Sequence, residues 1–138
     1  MLLPTGEVFV GGGITRTYTS SGTYQTSWQP TISTYPLVVT RGSTYPISGT
    51  QFNGLSQAAA FGDELQTATN YPLVRIVNNS TQHVFYARTH DHSTMGVATG
   101  SATVSTSFDV PAAMETGASE LVVVANGIPS MAVAVTVQ

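Results

Sequence analysis

The sequence has no cysteine, no lysine and few charges of either sign. Without cysteine there can be no disulfide, no thiolate metal site and no cysteine nucleophile. Only 8% of the 138 residues are charged, against about a quarter in an average domain. The cations are all arginine (Arg16, Arg41, Arg75 and Arg88), and seven acidic residues leave a net charge of −3. With a pI near 5.4 the chain lacks the basic footprint that holds phosphate backbones, so no nucleic-acid partner is expected. No run of about 18 apolar residues occurs, so no membrane insertion by a helix is expected. The N-terminus has no basic stretch followed by an apolar one, so it shows no signal peptide. Strong helix signals are also missing. The one stretch open to a helical turn, Leu55 to Thr69, contains Gly62 and runs into Asn70-Tyr71-Pro72.

Serine and threonine take the place of charge. Together they number 35 residues. Hydrophobic residues make up 41%, enough for one packed core, and the length suits one domain of roughly 100–200 residues. Disorder is excluded, because low hydrophobicity and high net charge are both absent. A hydroxyl-rich chain without cysteine or lysine points to an extracellular or cell-surface location.

Thr, Val, Tyr and Gly favour strands and turns. Short strands are predicted at Glu7–Val10, Ile14–Thr19, Thr31–Thr34, Leu37–Val39, Thr44–Ser48, Leu73–Val77, His83–Thr89, Ala102–Val110, Glu120–Ala125 and Met131–Val137. Pro46 marks its strand as an edge or bulged strand. Arg75 points away from the side of Val74 and Ile76. Val104, Thr106, Phe108 and Val110 share one face, as do Met131, Val133, Val135 and Val137. Strands of this length with turn signals every 8–12 residues predict an all-β, immunoglobulin-like antiparallel β-sandwich of about seven strands. The sandwich is expected over residues 30–138. Residues 1–29, rich in Gly, Thr and Ser, read as a separate stub and linker.

Four passages carry a family resemblance. Leu2-Leu3-Pro4-Thr5-Gly6-Glu7-Val8-Phe9-Val10-Gly11-Gly12-Gly13 resembles a kelch strand. Trp28-Gln29-Pro30-Thr31-Ile32, Arg88-Thr89-His90-Asp91-His92 and Asn126-Gly127-Ile128-Pro129-Ser130 follow in the order seen in the galactose oxidase and glyoxal oxidase family. The resemblance covers nearly the whole chain. It implies a C-terminal early-set immunoglobulin-like domain behind a remnant of the last propeller blade. It also implies that His90 stands at a vestigial copper-ligand position, in a family whose copper radical site lies mainly on the propeller. Here there is no cysteine for the cross-linked tyrosine, and one strand cannot make a blade. The chain is therefore expected not to be an enzyme by itself, and to need no cofactor. Copper enters only if a partner supplies the propeller.

Other candidates come from the residues directly. His90 and His92, two apart on a strand, would face the same way and could share a metal, although two ligands make a poor site and a hydrogen-bonded polar loop is the plainer reading. Asp63-Glu64 is the only adjacent acidic pair, and its Gly62 context suits a turn. Gly11-Gly12-Gly13 lacks the lysine and helix of a phosphate loop, and no nucleophile-elbow pattern occurs. Asn78-Asn79-Ser80-Thr81 holds two overlapping N-glycosylation sequons or a plain turn. Tyr18, Tyr24 and Trp28, with Tyr35 and Tyr45, offer a carbohydrate-stacking or docking surface, or are half-buried strand residues.

Two functions lead. The first is a non-catalytic β-sandwich module that braces or binds a protein partner through Thr89–Met95 and the aromatic N-terminal third. The second is a self-assembling structural subunit, an oligomer or filament, in which Glu7, Val8, Phe9 and Val10 add as a strand to another copy. A fragment of a copper radical oxidase, inactive alone, is the third.

Overall fold

The architecture was established from a computed structural model that describes residues 2–56 and 71–138. Two expectations, most of the Leu55–Thr69 helical turn and the Asp63-Glu64 pair, fall outside the described residues.

A hairpin opens the chain: β1 (Val8–Val10) pairs antiparallel with β2 (Arg16–Tyr18). One 3₁₀ turn follows at Thr26–Trp28. The remaining strands are β3 (Thr31–Thr34), β4 (Val38–Val39), β5 (Thr44–Thr50), β6 (Leu73–Asn78), β7 (Val84–His90), β8 (Val104–Asp109), β9 (Gly117–Ala125), β10 (Ile128–Pro129) and β11 (Val133–Val137).

These nine strands form one continuous path, β3-β5-β8-β7-β6-β9-β11-β4, with β10 beside β9. The path curls into two layers because β7 serves both. Its first half, Val84–Ala87, pairs with β6. Its second half, Arg88–His90, pairs with β8. One layer is then β3-β5-β8-β7 and the other is β7-β6-β9-β11-β4, four strands packed on five with the shared β7 counted in both, in an immunoglobulin-like sandwich. The chain is an all-β, immunoglobulin-like β-sandwich. The strands expected at Thr31–Thr34 and Leu37–Val39, separated by Pro36, are β3, on one layer, and β4, which crosses to run parallel to β11. The short strand β10 was not expected; it precedes the last expected strand, and Ser130–Met131 separates it from β11. Ser130 bridges the gap: its N–H donates to Val123 O at 2.8 Å, and its Oγ accepts from Val123 N at 3.0 Å.

The core lies between the layers. Phe108, Ile47, Phe52, Met114, Val74, Ile76, Leu121, Val123, Val135 and Val137 are buried there. The alternation on β8 is as expected, with Val104, Thr106 and Phe108 all buried and Val110 just beyond them. Met131 departs from its expected face. It is 76% exposed, because the break at Ser130–Met131 takes it out of the strand. Pro46 stands where β5 is an edge, as expected, although the strand is paired on both sides further along. It pairs with Ser107 on one side, but β3 reaches only as far as Ser48 on the other, so no ladder bond is lost there. Gly49 is where β3 and β5 come closest: a Cβ there would lie 1.7 Å from Thr31 O.

The Val run of β9 is buried on both faces. Leu121 and Val123 enter the core, whereas Val122 and Val124 are buried outside it. Leu2, Leu3 and Pro4 lie over Val124. The N-terminal segment thus packs on the outer face of the β6-β9 layer, which explains why β9 reads as continuously apolar rather than alternating. Contact between the two regions is backbone to backbone: a Cβ on Gly127 would sit 2.3 Å from Gly6 Cα. Gln29 adds a tie, with Nε2 donating to Pro129 O at 3.0 Å.

Candidate functional site

Two places gather the residues singled out above: the end of β7, and the seam between the N-terminal segment and β9-β10.

His90 is the last residue of β7. Asp91 follows with φ 53°, in the left-handed region, so the strand ends there and His90 and His92 are not strand neighbours on one face. His90 Nδ1 lies 2.8 Å from Asp91 Oδ2, and its Nε2 lies 3.0 Å from Asp109 Oδ1. Thr44 Oγ1 donates to the same Asp109 oxygen at 2.6 Å, since Thr44 and Asp109 stand opposite one another across β5 and β8. His92 goes elsewhere. Its Nδ1 is 3.0 Å from Thr106 Oγ1, and its ring lies 5.4 Å from that of Tyr71.

The electrostatics follow from these partners. Two carboxylates hold the His90 proton, Asp109 more strongly than Asp91, and raise its pKa above the ordinary value. Asp109 is lowered, chiefly by the Thr44 hydroxyl and then by His90. His92 is lowered by burial first and then by the charge on His90. Both His90 ring nitrogens are therefore engaged, and no group of three or more His, Cys, Asp or Glu side chains among the described residues is placed to hold a metal. The described residues do not fit a copper centre. A metal there would require His90 to leave both carboxylates and further ligands to come from another chain.

A comparable unit sits at the opposite end of β7. Glu115 accepts from the Thr81 hydroxyl, and its other oxygen lies 2.7 Å from His83 Nδ1. The Thr81 bond, followed by that of His83, lowers the Glu115 pKa. Asn78 organises the adjoining turn. It is buried, its Nδ2 donates to Thr116 O at 3.1 Å, and its Oδ1 accepts from Ser80 N and Thr81 N. The amide of the first sequon is thus spent inside the protein, whereas Asn79 of the second is exposed. Nothing in the sequence marks Glu115 or Asp109 as partners of the histidines, because each partnership is made across strands.

At the seam, the hairpin keeps its apolar residues in water. Val10 is 50% exposed, Ile14 69% and Tyr18 62%, and Val8, Phe9, Tyr24 and Trp28 are exposed as well. Glu7 is held by two hydroxyls, Thr5 Oγ1 and Thr19 Oγ1, each at 3.0 Å. Of the aromatic candidates, Tyr24 and Trp28 line a cleft of about 700 Å³ between the hairpin and β10, and Tyr18 does not. Arg75 and Asn126 reach the same cleft. The outward orientation of Arg75 was legible from the alternation of β6. The place of Asn126 was not, since it depends on how the N-terminal segment folds back.

No family model matches the chain, and no curated protein matches it. Among solved structures, the chain is similar to one described as the crystal structure of the Lin-41 filamin domain, at 12% identity and a TM-score of 0.37 over 99% of this chain and 95% of that one. At that score the likeness carries no argument, and the fold rests on the strand pairing above. The resemblance to the galactose oxidase family stands on the quoted motifs alone.

Proposed function

We propose that the chain is a non-catalytic β-sandwich module that braces or binds a protein partner through its N-terminal hairpin. The observation that carries this reading is the apolar surface of Val8, Val10, Ile14 and Tyr18, left in water on a hairpin whose strands bury no residue. Isolated two-stranded hairpins are marginal in water, so a partner that covers this surface stabilises the hairpin as it binds. The histidine clusters support the same reading in a negative way. Their carboxylates are joined to the histidines and to the hydroxyls of Thr44 and Thr81.

A second reading is self-assembly by strand addition. Among the described residues, β1 and β2 pair only with each other apart from a Leu2–Val8 bridge on β1, and the absence of lysine removes a common protection of open edges. Light scattering across a concentration series, with and without residues 1–20, separates the two. A monomer in both forms is the expected result. A large assembly that dissolves on truncation overturns the first reading in favour of the second. The outer surface of a cell, where an uncharged hydroxyl-rich surface is at home, is the proposed location.

A further inference from the structure

The cleft between the segments flanking the hairpin and β10 is lined by two residues that each keep one buried polar atom without a partner among the described residues. Arg75 stands on the outer face of β6 and lines the cleft. Its Nε is buried with no hydrogen bond, and the guanidinium forms no ion pair among the described residues. Asn126 lines the same cleft. Its Nδ2 donates to Ser56 O at 2.9 Å, but its Oδ1 is buried without a partner. Buried polar groups are normally satisfied, and each one left open costs free energy. One buried donor and one buried acceptor, on two residues that line one cleft, are satisfied together if their side chains turn toward a ligand that both accepts and donates.

We infer that this cleft is a binding site for a neutral saccharide. A sugar hydroxyl is donor and acceptor at once. A pair of neighbouring hydroxyls can accept from Arg75 and donate to Asn126, whereas a carboxylate could satisfy only the arginine. Charge points the same way. Glu7 lines the cleft with Arg75, so the cleft carries no net charge to draw an anion. The aromatic rings of Tyr24 and Trp28 form part of the lining and supply flat apolar surfaces for the C–H face of a pyranose ring. The volume of about 700 Å³ lies within the range of small-molecule sites, roughly 300–1,000 Å³. This site goes beyond the protein-docking reading, since it uses the segments flanking the hairpin, Pro4–Glu7 and Thr19–Tyr24, rather than its exposed apolar strands.

Trp28 is the only tryptophan in the chain, so its fluorescence reports on this cleft and on the adjoining one that it lines with Leu2 and Leu55, and the Arg75 variant tells the two apart, because Arg75 lines only the first. The full chain is titrated with cellopentaose, mannopentaose, xylopentaose and laminaripentaose, and with pentagalacturonate as the anionic arm. A saturable change in Trp28 emission with at least one neutral oligosaccharide is expected. It should weaken about tenfold or more in Arg75→Gln, the loss of a hydrogen bond to a charged donor, and stay unchanged in Arg88→Gln, which lies outside the cleft. If Arg75→Gln does not fold by circular dichroism, Tyr24→Ala gives the same readout. No response from the wild-type chain to any neutral sugar at about 10 mM, a limit well past millimolar affinity, overturns the inference. So does an undiminished response in the folded cleft variants, or a response confined to pentagalacturonate.

Discussion

The sandwich and the N-terminal hairpin are built from the same residues, Val, Tyr, Thr and Gly, and treat them in opposite ways. In the sandwich, Val74, Val123 and Val137 are sealed between layers. In the hairpin, Val8 and Val10 stand in water on strands of three residues. Local strand preference is alike in the two, so preference alone did not decide burial. What differs is the second layer. Each sandwich strand faces another sheet, whereas the hairpin strands have no second layer over them among the described residues, and only the flanking residues Gly6 and Gln29 touch the β10 end of the sandwich. The sandwich buries its apolar residues within itself, and the hairpin leaves its own exposed.

The contrast can be broken first from the core. Phe108→Ala removes a ring at the centre of the sandwich and is expected to cost about 3–5 kcal/mol, measured by denaturant unfolding, with loss of the hairpin at the same midpoint. Gly49→Ala drives a methyl into Thr31 O. It should cost roughly 1–3 kcal/mol as an overpacked contact and lower the hydrogen-exchange protection of β3 most. Gly127→Ala tests the junction of the two regions. Its φ of 78° and its contact with Gly6 predict a loss of roughly 1–2 kcal/mol and a rise in acrylamide quenching of Trp28 as the N-terminal segment lifts from a folded sandwich.

Smaller effects sharpen the comparison further. The His90 pKa is raised in the folded state, so its stabilisation is complete below the ordinary 6.5 and fades as pH rises through the raised value. Asp109 is lowered, so its contribution is present above the ordinary 3.8 and lost as pH falls through the lowered value. The stability difference between wild type and His90→Gln should be largest between those two limits and shrink on the alkaline side. Thermal melts over a pH series check it. Ile14→Ser, at the exposed tip of the hairpin, should change the stability of the isolated chain by no more than about 0.5 kcal/mol. A larger loss would mean that the hairpin is already covered.

The strands were legible wherever one face meets the core. The alternation of Val104, Thr106, Phe108 and Val110 located β8, and the outward turn of Arg75 came from the same rule. Legibility failed where the third dimension intervened. Val122 and Val124 look like core residues, yet they are buried outside the core, Val124 beside Leu2–Pro4, far away in sequence. Pro46 marked an edge, but nothing in the sequence says that β3 covers the rest of the same strand. Met131 was placed on the wrong side because a strand break carried by Ser130 leaves no mark in the alternation. The site was less legible still. The His90-Asp91-His92 cluster was visible, but Asp109, Thr44 and Glu115 join the histidines only through strand register. The cleft pairs Arg75 with Asn126 across two elements and a folded-back segment.

The parallel contact between β4 and β11 has a mechanical consequence. Thr136 N to Leu37 O, Gln138 N to Val39 O and Arg41 N to Gln138 O are three hydrogen bonds of 2.8–3.0 Å that join two strands running the same way. Tension entering at Thr31 and leaving at Gln138 pulls β4 and β11 in opposite directions along their length. The three bonds are then loaded together rather than one after another, and they resist as a clamp. The antiparallel pair β3-β5, pulled from its end, opens bond by bond under the same load. A module tethered by its two ends would lose its β3 edge early and hold its other layer until the clamp fails.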